Sequence, residues 1–343
     1  MLQKIATRFD GKGCIESLIG GRSENQDSAG WADTPLGLLV VVCDGMGGAK
    51  GGKHASELAV NTIVADVSEV PPDSDPMVVI QNAVSHANAV IYEEGQKDEY
   101  KGMGTTLTAL LIAEREAFAA HVGDSRIYQL RNGKKIFRTD DHSMVFDMVR
   151  AKVISEEQAR LSDCSNVILK ALGISQSVEP DISVIPYCSG DRFVLCSDGF
   201  WSAFEESALI KKLSWKGGME ESLEALANEI DLIGKNSGCN HDNLTAAVVD
   251  VGEKSTLPIW KVLRKVSLRE MVLSILLLVS IIANCCFFSV SAELCRIREE
   301  LEELYNELNV AQDGLTARKV GKILQITGNE ELENNVEDTS DNE

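Results

Sequence analysis

Aliphatic and β-branched runs alternate with stretches of helical spacing over the first 251 residues. Leu36 to Cys43 is almost continuously apolar, the pattern of a strand buried on both faces. Gly51 to Val67 repeats its apolar positions at helical spacing, and a second helix is predicted from Pro76 to Glu94, behind the turn-rich VPPDSDP. Thr105 to Ala113, Ala117 to Val122, Ile127 to Arg131 and Lys135 to Arg138 read as successive antiparallel strands. Asn132-Gly133, between the last two, is a type I′ hairpin signal. Two further strands are expected at Asp191 to Cys196 and Leu244 to Val251, and helices at Glu205 to Leu213 and Met219 to Lys235. Strands grouped with helix pairs, without strict βαβ alternation, indicate an α+β domain of antiparallel sheets covered by helices.

The pattern changes after residue 252. Residues 253–270 read as a basic juxtamembrane linker, amphipathic from Trp260 to Glu270. Met271 to Val290, MVLSILLLVSIIANCCFFSV, has 20 residues and no charge. As a helix it would be about 30 Å long, enough to cross a bilayer core, so one transmembrane helix is expected at 271–290; a buried core helix is the alternative. Lys261, Arg264, Lys265 and Arg269 precede the span, and only Arg296 and Arg298 follow it closely. Positive charge stays on the cytoplasmic side, which predicts a single-pass membrane protein with its main domain in the cytoplasm and its tail outside. Within 291–325, Leu294, Ile297, Leu301, Leu304 and Leu308 step by three and four residues. This helical stretch predicts either a parallel coiled-coil homodimer or a single amphipathic helix packed elsewhere. Residues 326–343 are polar and acidic, the composition of a disordered tail.

The net charge is −20, and the stretch from Ser291 to Glu343 has 14 acidic and 5 basic residues. No basic run interleaved with aromatics occurs, which argues against nucleic acid as a partner. The nine cysteines contain no Cys-x-x-Cys pair, and most sit in apolar runs, as buried reduced thiols do. MLQKIATRFDGKGC, at the N-terminus, has neither an apolar stretch nor a cleavage signature, so no signal peptide is expected.

Four blocks carry the acidic chemistry: VVCDGMGG (Val41 to Gly48), HVGDSRIY (His121 to Tyr128), LCSDGFW (Leu195 to Trp201) and HDNLTAAVV (His241 to Val249). Each sets an aspartate at or just beyond an apolar run. Aspartates at strand ends are held rigidly and can converge from separate strands. Hard divalent cations need a few such oxygens, with water completing the shell. Asp44, Asp124, Asp198 and Asp242 are therefore the first-choice metal ligands. His54, His86, His121, His142 and His241 form no spaced ligand cluster, and a structural role is expected for each, although His241 abuts Asp242.

These blocks, in this order, resemble the metal-dependent protein phosphatase family (PPM, the protein phosphatase 2C type), in its bacterial branch. RSENQDS (Arg22 to Ser28), GMGTTLTALLI (Gly102 to Ile112), TDDHS (Thr139 to Ser143) and NVILKALG (Asn166 to Gly173) are similar to further blocks of that family. The resemblance runs from about Gly13 to Val251 and assigns 1–252 to the phosphatase domain. It implies a four-layer αββα sandwich, two antiparallel sheets flanked by helices, to which the expected transmembrane helix is added. It implies hydrolysis of phosphoserine and phosphothreonine in phosphorylated proteins by a metal-activated bridging water. Two or three Mn2+ or Mg2+ ions are implied. Asp44 would bridge two ions with help from the Gly45 carbonyl, and Asp198 and Asp242 would complete a site. Asp124 would join Asp198 at the third ion, or else serve in structural hydrogen bonding with Ser125 or Arg126. Asp27 would act from behind the ligands, and Arg22 would clamp the phosphate. The stretch from Ser143 to Asn166 falls where the family has a flap beside the active site, though its residues fit a solvated helical connection equally.

Two positions depart from the family's animal type. Met46 stands where those members have histidine, so the proton donor to the leaving group is unassigned. Gln26 replaces a glutamate, a neutral and weaker ligand. A non-catalytic phosphopeptide-binding protein and a membrane anchor carrying a regulatory phosphatase fold are the competing readings. The retention of every candidate aspartate speaks against the first.

Overall fold

The computed structural model describes residues 2–252, apart from 8, 163, 165, 166, 216 and 239. The expected linker at 253–270, membrane span at 271–290, helical stretch at 291–325 and acidic tail at 326–343 lie outside the described residues. Among the described residues, no helix is long and apolar enough to cross a membrane.

Two antiparallel sheets form the centre. One has the order β1 (Gln3–Ile5), β2 (Gly11–Leu18), β12 (Leu244–Val251), β11 (Arg192–Cys196), β8 (Arg126–Arg131) and β9 (Lys134–Arg138). The other runs β10 (Asp181–Pro186), β7 (Glu116–Val122), β6 (Leu107–Ile112), β4 (Gly37–Met46) and β3 (Asp27–Thr34), with the two-residue β5 (Gly104–Thr105) paired to β4. Helices α1 (Gly48–Ser68) and α2 (Pro76–Glu94) cover the second sheet, and α6 (Glu206–Leu213) and α7 (Met219–Asn236) cover the first.

The period of two along a strand sorts side chains into three apolar layers. From β4, Leu39, Val41 and Cys43 face α1 and α2, while Leu38, Val40 and Val42 face the other sheet. From β11, Val194 and Cys196 face the helices, while Phe193 and Leu195 pack between the sheets. Burial on both faces explains the uninterrupted apolar runs in the sequence. The four-layer arrangement expected from the family resemblance is thus present, without a membrane helix among the described residues.

Local signals set several boundaries. Asp75 caps α2 by accepting from the Met77 amide at 2.9 Å, with Pro76 in the first turn. Asn132 and Gly133 both have positive φ, as the predicted hairpin requires. The 143–166 insert forms two short helices, α3 (Met144–Arg150) and α4 (Glu156–Arg160), the second opened by a Ser155–Gln158 capping box. Of five described cysteines, Cys14, Cys43 and Cys196 are buried thiols, whereas Cys164 and Cys188 are exposed, which narrows the expectation of burial.

The middle layer offers the most direct test of this architecture. Phe193 is fully buried between the sheets. Phe193→Ala is expected to cost about 3–5 kcal/mol in urea unfolding, whereas exposed Val153→Ala should change stability by less than about 0.5 kcal/mol. Equal small effects would contradict the packed inter-sheet layer.

Candidate metal centre

Strand register brings the aspartates together. In one sheet Asp27 pairs with Asp44 across β3 and β4, and Leu107 pairs with Val122 across β6 and β7. In the other, Arg126 and Ala246 both pair with Cys196, and Leu244 pairs with Leu18. Asp44, Asp124, Asp198 and Asp242 therefore all lie within a residue or two of the same ends of the two sheets. They line one cleft of about 440 Å³ with Arg22, Glu24, Gln26, Gly45, Met46, Thr106 and Asn243. Asp198 opens the one-turn helix α5 (Asp198–Trp201) at the end of β11.

The cleft's backbone is pinned by polar side chains absent from the sequence-based assignment. The Asp44 amide donates to Thr106 Oγ1 at 2.9 Å, and the Asp44 carbonyl accepts from the Thr106 amide and the Thr105 hydroxyl, each at 2.8 Å. Thr106 Oγ1 also lies 2.7 Å from Ser125 Oγ, beside Asp124. Asn243 accepts from the Gln26 amide at 2.8 Å and donates to the carbonyls of Ile19 and Glu24. It thereby fixes the loop that carries Arg22. The Thr-Thr pair in an apolar strand and the Asp-Asn dipeptide were the signals available for these roles. Glycine is required beside two of the aspartates. A Cβ on Gly45 would stand 2.0 Å from the Gly52 carbonyl oxygen of α1, and one on Gly199 would stand 2.1 Å from the Asn243 carbonyl oxygen.

Other expected residues are placed differently from one another. Arg22 Nη2 donates to Asp242 Oδ2 at 2.9 Å, at the cleft's exposed side. Asp27 lies behind the cleft wall, where Oδ2 accepts from the Ser197 hydroxyl at 2.8 Å. His241 turns away from the aspartates: its Nε2 is 2.9 Å from Asp231 of α7, a structural role. Ile168, two residues beyond the insert, borders the cleft and bridges to Ser143 before α3.

Burial dominates the electrostatics, and the crowding of like charges adds to it. Burial, then the charges of Asp27, Asp198, Asp124 and Asp242, push the Asp44 carboxyl well above its ordinary range. Burial, then Asp198 and Asp141, do the same to Asp124. Burial lifts Asp27 to about 7, against the pull of the Thr245 and Ser197 hydroxyls. Burial and Asp242 lift Asp198 to about 6. Asp27 Oδ1 and Asp198 Oδ1 are buried without a hydrogen-bond partner. Arg22 is the one cation among the described lining residues. Such a cleft is deficient in positive charge, and its hard oxygen donors fit Mg2+ or Mn2+. Among the described residues no three His, Cys, Asp or Glu side chains close into a ready cage. That is consistent with ions held by one or two carboxylates each and otherwise by water.

The protein phosphatase 2C profile matches residues 16–234. A protein phosphatase 2C-type protein of Streptococcus pyogenes is 35% identical over 234 residues, 66% of this chain and 92% of the relative. The chain belongs to the protein phosphatase 2C family. As a member of this family it is a protein phosphatase that uses divalent metal, and its solved relatives include serine/threonine phosphatases. That of S. agalactiae is 32% identical with a TM-score of 0.63, covering 70% of this chain and 99% of the other. The PstP catalytic domain, solved with two manganese ions, is 31% identical with a TM-score of 0.61, covering 71% of this chain and 99% of the other. In this phosphatase 2C-family chain the matched stretch includes Arg22, Asp27, Asp44, Asp124 and Asp198, and it ends before Asp242.

Removing one cleft charge should have opposite effects with and without metal. Asp198 has a folded-state pKa above its unfolded value, so metal-free stability falls as pH rises through the interval from about 4 to about 6, and the full penalty is present above it. At pH 8 in chelator, Asp198→Asn is expected to melt about 2–4 °C above wild type, the shift for about 1 kcal/mol in a domain of this size. Saturating Mn2+ should reverse that order in the same melting assay. A variant less stable than wild type in chelator would contradict the repulsion.

Proposed function

We propose that this chain hydrolyses phosphoserine and phosphothreonine in proteins, at the cytoplasmic face of a membrane in which residues 271–290 anchor it. The observation that carries the catalytic part is the convergence of Asp44, Asp124, Asp198 and Asp242 on one cleft beside Arg22. In this reading Asp44, Asp198, Asp242 and the Gly45 carbonyl would hold two divalent ions, and Asp124 with Asp198 would hold a third. Bound there, Mn2+ or Mg2+ supplies charge neutralisation and a more acidic water to attack phosphorus.

The chain's own groups orient and restrain. Asp27, bonded to Ser197, steadies the wall behind Asp198. A guanidinium has five N–H donors, so the contact of Arg22 with Asp242 leaves donors for two phosphate oxygens. Met46 lines the cleft but has no proton to give, so the departing alkoxide takes its proton from water. Gln26 leaves the second ion with one carboxylate fewer than the animal-type pattern offers.

The membrane part rests on the uncharged 20-residue stretch and the basic residues before it. The three-and-four spacing of Leu294, Ile297, Leu301, Leu304 and Leu308 supports a parallel homodimer, because two single-pass helices already share a membrane plane.

Two experiments check these halves separately. Dephosphorylation of phosphoserine and phosphothreonine peptides should require added Mn2+ or Mg2+, and Asp44→Asn and Asp198→Asn should each lose at least ~100-fold. Undiminished turnover in chelator would overturn the metal assignment. For topology, a reporter fused after Glu343 should act only on the extracytoplasmic side. Reporter activity confined to the cytoplasm would contradict the orientation.

A further inference from the structure

Asp124 and Asp198 reach the cleft from different connections, yet one side chain ties them together. Asp198 is the first residue of α5 and Trp201 is its last. The buried Trp201 indole Nε1–H donates to the backbone carbonyl of Asp124 at 2.9 Å. One turn of helix and one hydrogen bond therefore connect the two carboxylate-bearing residues. The indole is itself immobilised. The Arg126 guanidinium lies 3.4 Å from the Trp201 ring centroid. Arg126 is held in turn by two bonds to Asp141, at 2.8 and 2.7 Å, and by one to the Tyr128 hydroxyl at 3.1 Å. A cavity of about 290 Å³ lies against Trp201 and Arg126, so the ring's orientation depends on the hydrogen bond and the stacked cation more than on close packing from that side.

We infer that Trp201 is a positioning residue that sets the separation of Asp124 from Asp198 and so governs the ion these two would share, without touching that ion. The inference rests on the reading above that they share a third cation. Asp198 also serves the paired ions, but it is set by its own place at the end of β11 and the start of α5, whereas Trp201 bonds Asp124 and none of the other proposed ligands, so loss of the bond should fall first on the ion that Asp124 shares. Groups one step behind a ligand typically alter metal affinity by about 10–100-fold when removed.

The test is Mn2+ calorimetry on the full-length chain with three variants. Asp124→Asn should lose the weakest binding event and keep the tighter ones. Trp201→Phe, which retains an aromatic ring for Arg126 but has no N–H, should weaken that same event about tenfold and the tighter ones far less. Phe204→Leu alters the lining of the same cavity without touching Asp124 and should leave the isotherm unchanged. Trp201→Phe matching wild type, or weakening all events to the extent that Phe204→Leu does, would overturn the proposal. Loss of no event in Asp124→Asn would remove the shared ion and the proposal with it. A measurement on the wild-type chain covers the case in which Trp201→Phe does not fold. The ¹⁵N-indole signal of Trp201 should shift with Mg2+ mainly at the weakest step. A shift that follows the tighter steps, or none, would count against the inference.

Discussion

The burial of several carboxylates together, compounded by their mutual repulsion, is the constraint around which this structure is arranged. Asp27, Asp44, Asp124 and Asp198 are each pushed toward protonation, first by burial. In bulk solvent such groups would separate. Here the strand register does not let them: the pairing of Asp27 with Asp44 and of Arg126 with Cys196 fixes where each chain end must be. The remaining degrees of freedom are removed by hydrogen bonds from Thr105, Thr106, Ser197 and Asn243. The repulsion can then be relieved only by protons or by cations. A site that favours a cation over a proton at neutral pH is what phosphate ester hydrolysis needs, because the substrate is itself anionic.

The sandwich supplies the rigidity for this. Strands buried on both faces, such as β4 and β11, have no solvent side on which to relax, so their ends are well-defined platforms. The two sheets are joined at the cleft by the bond from Ser197 to Asp27 and by that from the Gln26 amide to Asn243, each 2.8 Å. Gly45 and Gly199 permit the close approach of neighbouring backbone that these joints require. An Asp-Gly dipeptide here is thus a packing requirement as well as a source of ligands.

Much of this was legible in the sequence, for physical reasons that vary by element. The span Pro76–Glu94 was bounded correctly because its cap, its proline and its periodicity agree. The strands from Glu116 to Arg138 announced themselves by apolar runs and the Asn-Gly turn. Strands β2, β3 and β10 went unseen, as did the three-residue β1. The first contains two glycines, the second reads DSAGWADT, and the third is a largely exposed edge strand ending in proline, so none shows a clear period. The cleft aspartates were found because each sits beside a strong strand. The groups that hold them were not: the Thr-Thr pair and the Asp-Asn dipeptide stand out locally, but the partners of Thr106, Ser197 and Asn243 lie 62, 170 and 217 residues away. His241 has the structural role expected of it: although it abuts Asp242 in sequence, its ring pairs with Asp231.

The central claim is that this carboxylate cleft is a cation site. Anomalous diffraction from crystals of the chain grown with Mn2+ tests it most directly. The account predicts at least two manganese peaks in the cleft beside Asp44, with Asp198 and Asp242 among the contacting groups. Crystals of active enzyme with no manganese peak in that cleft would contradict it.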